Sequence, residues 1–181
     1  MSGELTMRSL RALDGEGLVS FYNGLSDGSR RLFRPLGWET QIGPCQSIAD
    51  ETGGSTRFDL VLADGDFVLW GWAFLDGILG ERAHLGIGVA DAVQGKGWGK
   101  RLMAGLVEEA RRRAIKEVRL IHVHDNIPAQ SLYCSFGFRR TGEHVGDDGL
   151  LYTERTLILC GKVDHVLGAL NGSRNRTVND Q

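Results

Sequence analysis

From residue 98 to residue 114 an apolar side chain returns every fourth position: Trp98, Leu102, Leu106, Ala110 and Ala114, with Met103 and Val107 beside them. That period lines one face of an α-helix. Glu108/Arg112 and Glu109/Arg113 fall at i,i+4 on the other side, where opposite charges support a solvated helix. The Arg111-Arg112-Arg113 run therefore reads as exposed helix surface rather than a nucleic-acid patch. A second helix is predicted over 126–136, with Asn126 as its N-cap and Pro128 in its first turn. Nearer the N-terminus, Asp14 can cap a short helix through Leu18, Val19, Phe21 and Tyr22. Residues 26–33 add further helical turns that stop near Pro35. The stretch 40–52 reads as helical after Pro44, and Gly53-Gly54 ends it.

The other apolar runs are shorter and rich in Val, Ile, Leu and Phe, which marks strands. They cover 5–13, 58–63, 67–74, 83–89 and 118–124. Asp64-Gly65 is a turn signal between the second and third. The unbroken apolar run 67–74 predicts a buried central strand. Residues 138–143 and 150–159 form a last antiparallel pair around Gly146-Asp147-Asp148-Gly149.

The chain of 181 residues fits one domain, placed at 1–160. Residues 161–181 form a C-terminal extension, expected to be polar and flexible from about 171. With 41% apolar and 24% charged residues, the composition is that of a globular protein. A net charge of -2 and a pI near 6.2 give no basic bias, so no nucleic-acid partner is expected. No run approaches bilayer-spanning length, and no apolar stretch follows a charged N-terminus, so neither a membrane association nor a signal peptide is expected. Cys45, Cys134 and Cys160 are odd in number and far apart, which suggests reduced thiols in a cytoplasmic protein and no zinc site.

The segment Gln94-Gly95-Lys96-Gly97-Trp98-Gly99-Lys100 lies between a predicted strand and the strongest helix. Clustered glycines let backbone N–H groups approach an anion, and a helix N-terminus adds unpaired donors and its positive dipole end. Phosphate or pyrophosphate is the ligand this implies. The spacing fits neither the dinucleotide fingerprint G-x-G-x-x-G nor the P-loop. It resembles the Q/R-x-x-G-x-G/A signature of the GNAT superfamily of N-acetyltransferases. Downstream, Asn126, Ala129, Leu132, Tyr133, Gly137 and Phe138 resemble that superfamily's N-x-x-A-x-x-L-Y-x-x-x-G-F segment. The clear resemblance runs over about 83–143.

The resemblance implies an α/β (α+β) fold: a mixed, mostly antiparallel sheet flanked by helices. Strands 83–89 and 118–124 would lie parallel and splay apart around acetyl-CoA, the cosubstrate. Ile87 and Val89 would face the pantetheine arm with backbone groups, and an N–H at Val89 would polarise the thioester carbonyl. Gln94, Gly95, Lys96, Gly97, Trp98 and Gly99 would cradle the pyrophosphate, with Lys96, Lys100 or Arg101 meeting its charge. Asn126 would reach the CoA arm or simply cap its helix. Tyr133 would protonate the departing thiolate. The general base is open between His84 and His122, each of which could instead be structural. Strand alternation sets His84 with Gly86 and Gly88, opposite Leu85, Ile87 and Val89, and a β-bulge would be needed to reverse that. No metal and no covalent enzyme intermediate are required.

The acceptor is not readable from these motifs. A small-molecule primary amine is the leading reading, with Tyr22, Arg30, Arg31, Phe33, Arg34 and Trp38 as candidate lining. The alternatives are a protein or peptide N-terminus, which Ile121 disfavours because related ribosomal-protein enzymes tend to carry Glu there, and a non-catalytic acyl-CoA sensor. The last strands offer a surface for a homodimer.

Overall fold

In the computed structural model, residues 4–51, 54–65 and 68–159 are described. The elements in chain order are β1 (Thr6–Ser9), α1 (Gly15–Asn23), α2 (Asp27–Leu32), α3 (Ile42–Asp50), β2 (Arg57–Ala63), β3 (Leu69–Asp76), β4 (Arg82–Val89), α4 (Trp98–Arg112), β5 (Glu117–Val123), α5 (Ile127–Ser135), β6 (Arg139–Val145) and β7 (Leu151–Ile158). The strands form one sheet in the order β1-β2-β3-β4-β5-β7-β6. Among the described strands only β4 and β5 pair in parallel, and they do so at three positions: Arg82↔Glu117, Ala83↔Val118 and His84↔Arg119. Past His84, β4 stays with β3 as far as Gly71↔Val89, while β5 stays with β7 as far as Val123↔Tyr152. The two strands therefore diverge, as expected for the splayed pair.

Each face of the sheet carries a core, because strand residues alternate between faces. On one face the apolar stripe of α4 (Leu102, Met103, Leu106, Val107, Ala110) packs on Leu60, Leu75, Leu85 and Val118. On the other, Leu18, Phe21 and Tyr22 of α1 and Cys45 of α3 cover Val61 and Trp72. β3 is buried along most of its length, as its apolar run predicts.

Several boundaries differ from the sequence reading. The first strand ends at Ser9 rather than continuing to residue 13, because Ala12–Asp14 form a 3-10 turn. The Asp14 carboxylate closes that turn by accepting the Arg11 N–H at 2.7 Å and pairing with Arg8 at 2.6 Å. Asp14 does precede α1, but its side chain does not cap it. α3 starts at Ile42, before Pro44, which sits in the first turn where a missing N–H costs no helix bond. Phe67, Gly53, Cys160 and the extension 161–181 lie outside the described residues. Among the described residues no helix is long and apolar enough to cross a membrane.

Candidate active site

The glycine-rich segment is an open cradle. Gly95 and Gly97 adopt φ values of 71° and 83°, where side chains are strained, and a Cβ on either would point into open space. Gly97 is the N-cap of α4 and has no side-chain cap. The first helical bond there is Arg101 N–H to the Gly97 carbonyl. The N–H groups from Gly95 to Lys100 consequently have no hydrogen-bond partner among the described residues. Six donors at the positive end of a helix of 15 residues suit a pyrophosphate. Gln94 is the exception within the predicted set. Its N–H is taken by the Asp91 carbonyl, and its side-chain amide donates to Val89 O at 2.9 Å and Ser29 Oγ at 3.0 Å. It fastens the loop instead of facing it. Lys96 donates to the Ala92 carbonyl at 3.0 Å, and Arg101 lies over the Trp98 ring, while Lys100 is exposed.

Backbone direction supplies the next part. The Ala90 N–H bonds to the Trp70 carbonyl. Alternation then turns the even-numbered backbone groups of β4 toward β3 and those of Leu85, Ile87 and Val89 toward β5. Since β5 has left by Ile87, the N–H groups of Ile87 and Val89 point into the splay.

Tyr133 is positioned by the end of α5. Asn126 Oδ1 accepts the Ala129 N–H at 3.2 Å and starts the helix. At the other end Gly137 has φ 87°, its N–H bonds to the Cys134 carbonyl, and the Phe138 N–H bonds to the Tyr133 carbonyl. This is the Schellman arrangement, whose usual apolar contact is made here by the Tyr133 and Phe138 rings, 6.0 Å apart. The Tyr133 hydroxyl has no hydrogen-bond partner among the described residues. Burial pushes its ionisation well above the ordinary phenol range, so it remains a proton donor at neutral pH.

The Tyr133 ring leans on His122 at 5.4 Å. His122 is buried, with Nδ1 against the Val123 carbonyl at 2.8 Å and Nε2 accepting from Arg155 Nε at 3.0 Å. The basic lone pair is thus held by a guanidinium. Burial first, then the Arg155 charge, lowers its proton affinity. This geometry disfavours the general-base assignment considered for His122.

A cleft of about 450 Å³ opens on the even-numbered face of β4. Arg31, Phe33, Arg34 and Trp38 line it, as expected. Tyr22 and Arg30 do not. Tyr22 is fully buried, with its hydroxyl donating to the Gly37 carbonyl, and Arg30 is buried with its guanidinium on the Asn23 and Leu25 carbonyls. Residues the sequence reading did not single out are Phe74 and Tyr152, which line the cleft, and Gly86 and Gly88 beneath it. A Cβ at Gly86 would stand 2.3 Å from the Phe74 ring, and one at Gly88 2.4 Å from the Phe33 ring. The Gly-x-Gly spacing in this strand was the available signal. His84 lines the cleft, is exposed, and makes no hydrogen bond to a described residue. β4 pairs with β3 without a register shift, so no bulge is needed to bring His84 to the cleft.

Residues 26–138 match the model of the Acetyltransferase (GNAT) family. The chain belongs to the GNAT acetyltransferase family. Membership makes it an N-acetyltransferase with acetyl-CoA as donor. Solved structures agree in fold. A ribosomal-protein-alanine N-acetyltransferase from Brucella melitensis is 22% identical, with TM-score 0.72 over 85% of this chain and 99% of that one. The protein yncA from Salmonella typhimurium, solved with its cofactor acetyl-CoA, is 20% identical, with TM-score 0.72 over 87% and 95%. Spermidine N-acetyltransferase from Vibrio cholerae, in complex with CoA and spermine, is 17% identical, with TM-score 0.70 over 85% and 95%. No curated protein matches the sequence significantly.

Proposed function

We propose that this GNAT enzyme transfers the acetyl group of acetyl-CoA to a primary amine of a small molecule, by direct attack on the thioester. The observation that carries the donor half is the set of unpaired N–H groups from Gly95 to Lys100 beside the β4/β5 splay. The acceptor half rests on a concave cleft walled by Phe33, Trp38 and Phe74, a form suited to a small ligand.

The residues divide the work. The loop N–H groups hold the pyrophosphate, with Lys100 placed to meet remaining charge. The Val89 N–H donates to the thioester oxygen as negative charge grows there. The amine proton leaves through water in the cleft toward His84, whose ring is open there, since Nε2 of His122 is occupied by Arg155 and His84 stands roughly 16 Å from Val89 along β4. Tyr133 gives its proton to the departing thiolate. Asn126 and the Schellman turn hold Tyr133, and the His122 ring supports it from the side.

The test is incubation with acetyl-CoA and a panel of amines and N-terminal peptides, read by mass spectrometry. Acetylated small amines are expected. Acetylation of peptides alone would assign a protein substrate, and acetyl-CoA binding with no transfer to any member would assign a sensor.

A further inference from the structure

The chemistry of the cleft narrows the acceptor. Among the residues lining it there is no Asp or Glu. Beside it, Asp125 is bound to Arg31 at 2.9 Å and Asp148 to Arg34, while Asp76 stands opposite His84 at the far end of β3. A polycationic amine entering between Arg31 and Arg34 would face two guanidinium groups.

Arg34 is only partly satisfied. Its Nη2 serves both Asp148 and the Tyr152 hydroxyl, and Tyr152 in turn donates to Asp148 at 2.7 Å. These bonds lock the guanidinium in place. Its Nε and Nη1 donate to no described residue, and the side chain is 26% exposed. Each bidentate edge of a guanidinium needs Nη2, which Asp148 and Tyr152 hold, so Nη1 is left to meet a ligand carboxylate through a single charge-assisted hydrogen bond. Between that nitrogen and the strands the walls are aromatic: Phe33 and Phe74 rest on Gly88 and Gly86, and Trp38 lies beside the Arg34 guanidinium. Glycines at these two positions bring the rings down onto the strand and leave the space above for a flat or apolar ligand.

We propose that the acceptor is an amine carrying an aromatic or apolar group and a carboxylate, the apolar part held by Phe33, Trp38 and Phe74 and the carboxylate by the free Nη1 of Arg34. This rests on reading the cleft as the acceptor site. The class contrasts with polyamines, although a polyamine enzyme shares the fold.

The experiment compares kcat/KM for phenylalanine and tryptophan, for their carboxamides, and for spermidine, in wild type and Arg34→Gln. Acetyl-CoA titration and thermal denaturation of both proteins run alongside. The acids are expected to exceed the carboxamides by at least about tenfold, and Arg34→Gln to erase that difference through KM. Equal rates for acid and carboxamide, or a preference for spermidine, overturns the proposal. So does failure to acetylate any aromatic amine by a protein that binds acetyl-CoA. Failure to bind acetyl-CoA at all would instead overturn the donor reading.

Discussion

Replacing Tyr133 by Phe removes one hydroxyl and separates its chemical role from its structural one. The hydroxyl makes no hydrogen bond to a described residue, while the ring packs on His122 and Phe138. Phe keeps the ring contacts and loses no bond, so stability should change by no more than about 0.5 kcal/mol. The rate should behave differently. A positioned general acid contributes about 10²- to 10⁴-fold, equivalent to roughly 3–5 kcal/mol of barrier. The assay is release of free CoA thiol in the presence of a responding amine, with thermal denaturation of both proteins beside it. The kcat should fall by at least about a hundredfold, with unchanged melting temperature and unchanged affinity for acetyl-CoA. A Phe variant that keeps its rate within about threefold would refute Tyr133 as the acid.

Other outcomes follow from the same geometry. Gly88→Ala sets a Cβ 2.4 Å from the Phe33 ring, so it should destabilise by about 1–3 kcal/mol and impair acceptor binding, read by denaturation and KM. His122 is held neutral by burial and by Arg155, so its folded pKa lies below the ordinary 6.5. Its contribution to stability is therefore full above pH 6.5 and lost as pH falls through the folded value, which urea titrations at stepped pH would show. In Arg155→Met, NMR should find the His122 pKa raised, because a buried positive charge 3.0 Å away has gone. Leu106→Ala empties a fully buried site between α4 and the sheet and should cost about 2–5 kcal/mol in chemical denaturation.

The features legible in the sequence are those set by local chemistry. The stripe from Trp98 to Ala110, the Asn126 cap and the glycines that open α4 each depend on neighbours within a few residues, and each stands where the pattern placed it. The cleft was less legible because packing over long separations makes it. Tyr22 and Arg30 share a segment with true lining residues, yet both turn inward, where backbone carbonyls of Gly37, Asn23 and Leu25 satisfy them. Gly86 and Gly88 looked like ordinary strand glycines until Phe74 and Phe33 came to rest on them. His122 resembled a base until Arg155, on the neighbouring strand, occupied its lone pair. Asp14 stands at the N-cap position of α1, but Arg8 and the Arg11 N–H claim its carboxylate instead.

The donor site stands or falls on whether the N–H cradle at the start of α4 holds the pyrophosphate of acetyl-CoA. Isothermal titration with acetyl-CoA tests it most directly, using wild type, Gly97→Ala and Gly97→Glu. Both variants carry the strain of a side chain at φ 83°, and neither Cβ meets another atom, so they should fold alike. Only Glu adds a negative charge where the phosphates lie. Wild type should bind, Gly97→Ala more weakly and Gly97→Glu not at all. Equal binding by all three would contradict it.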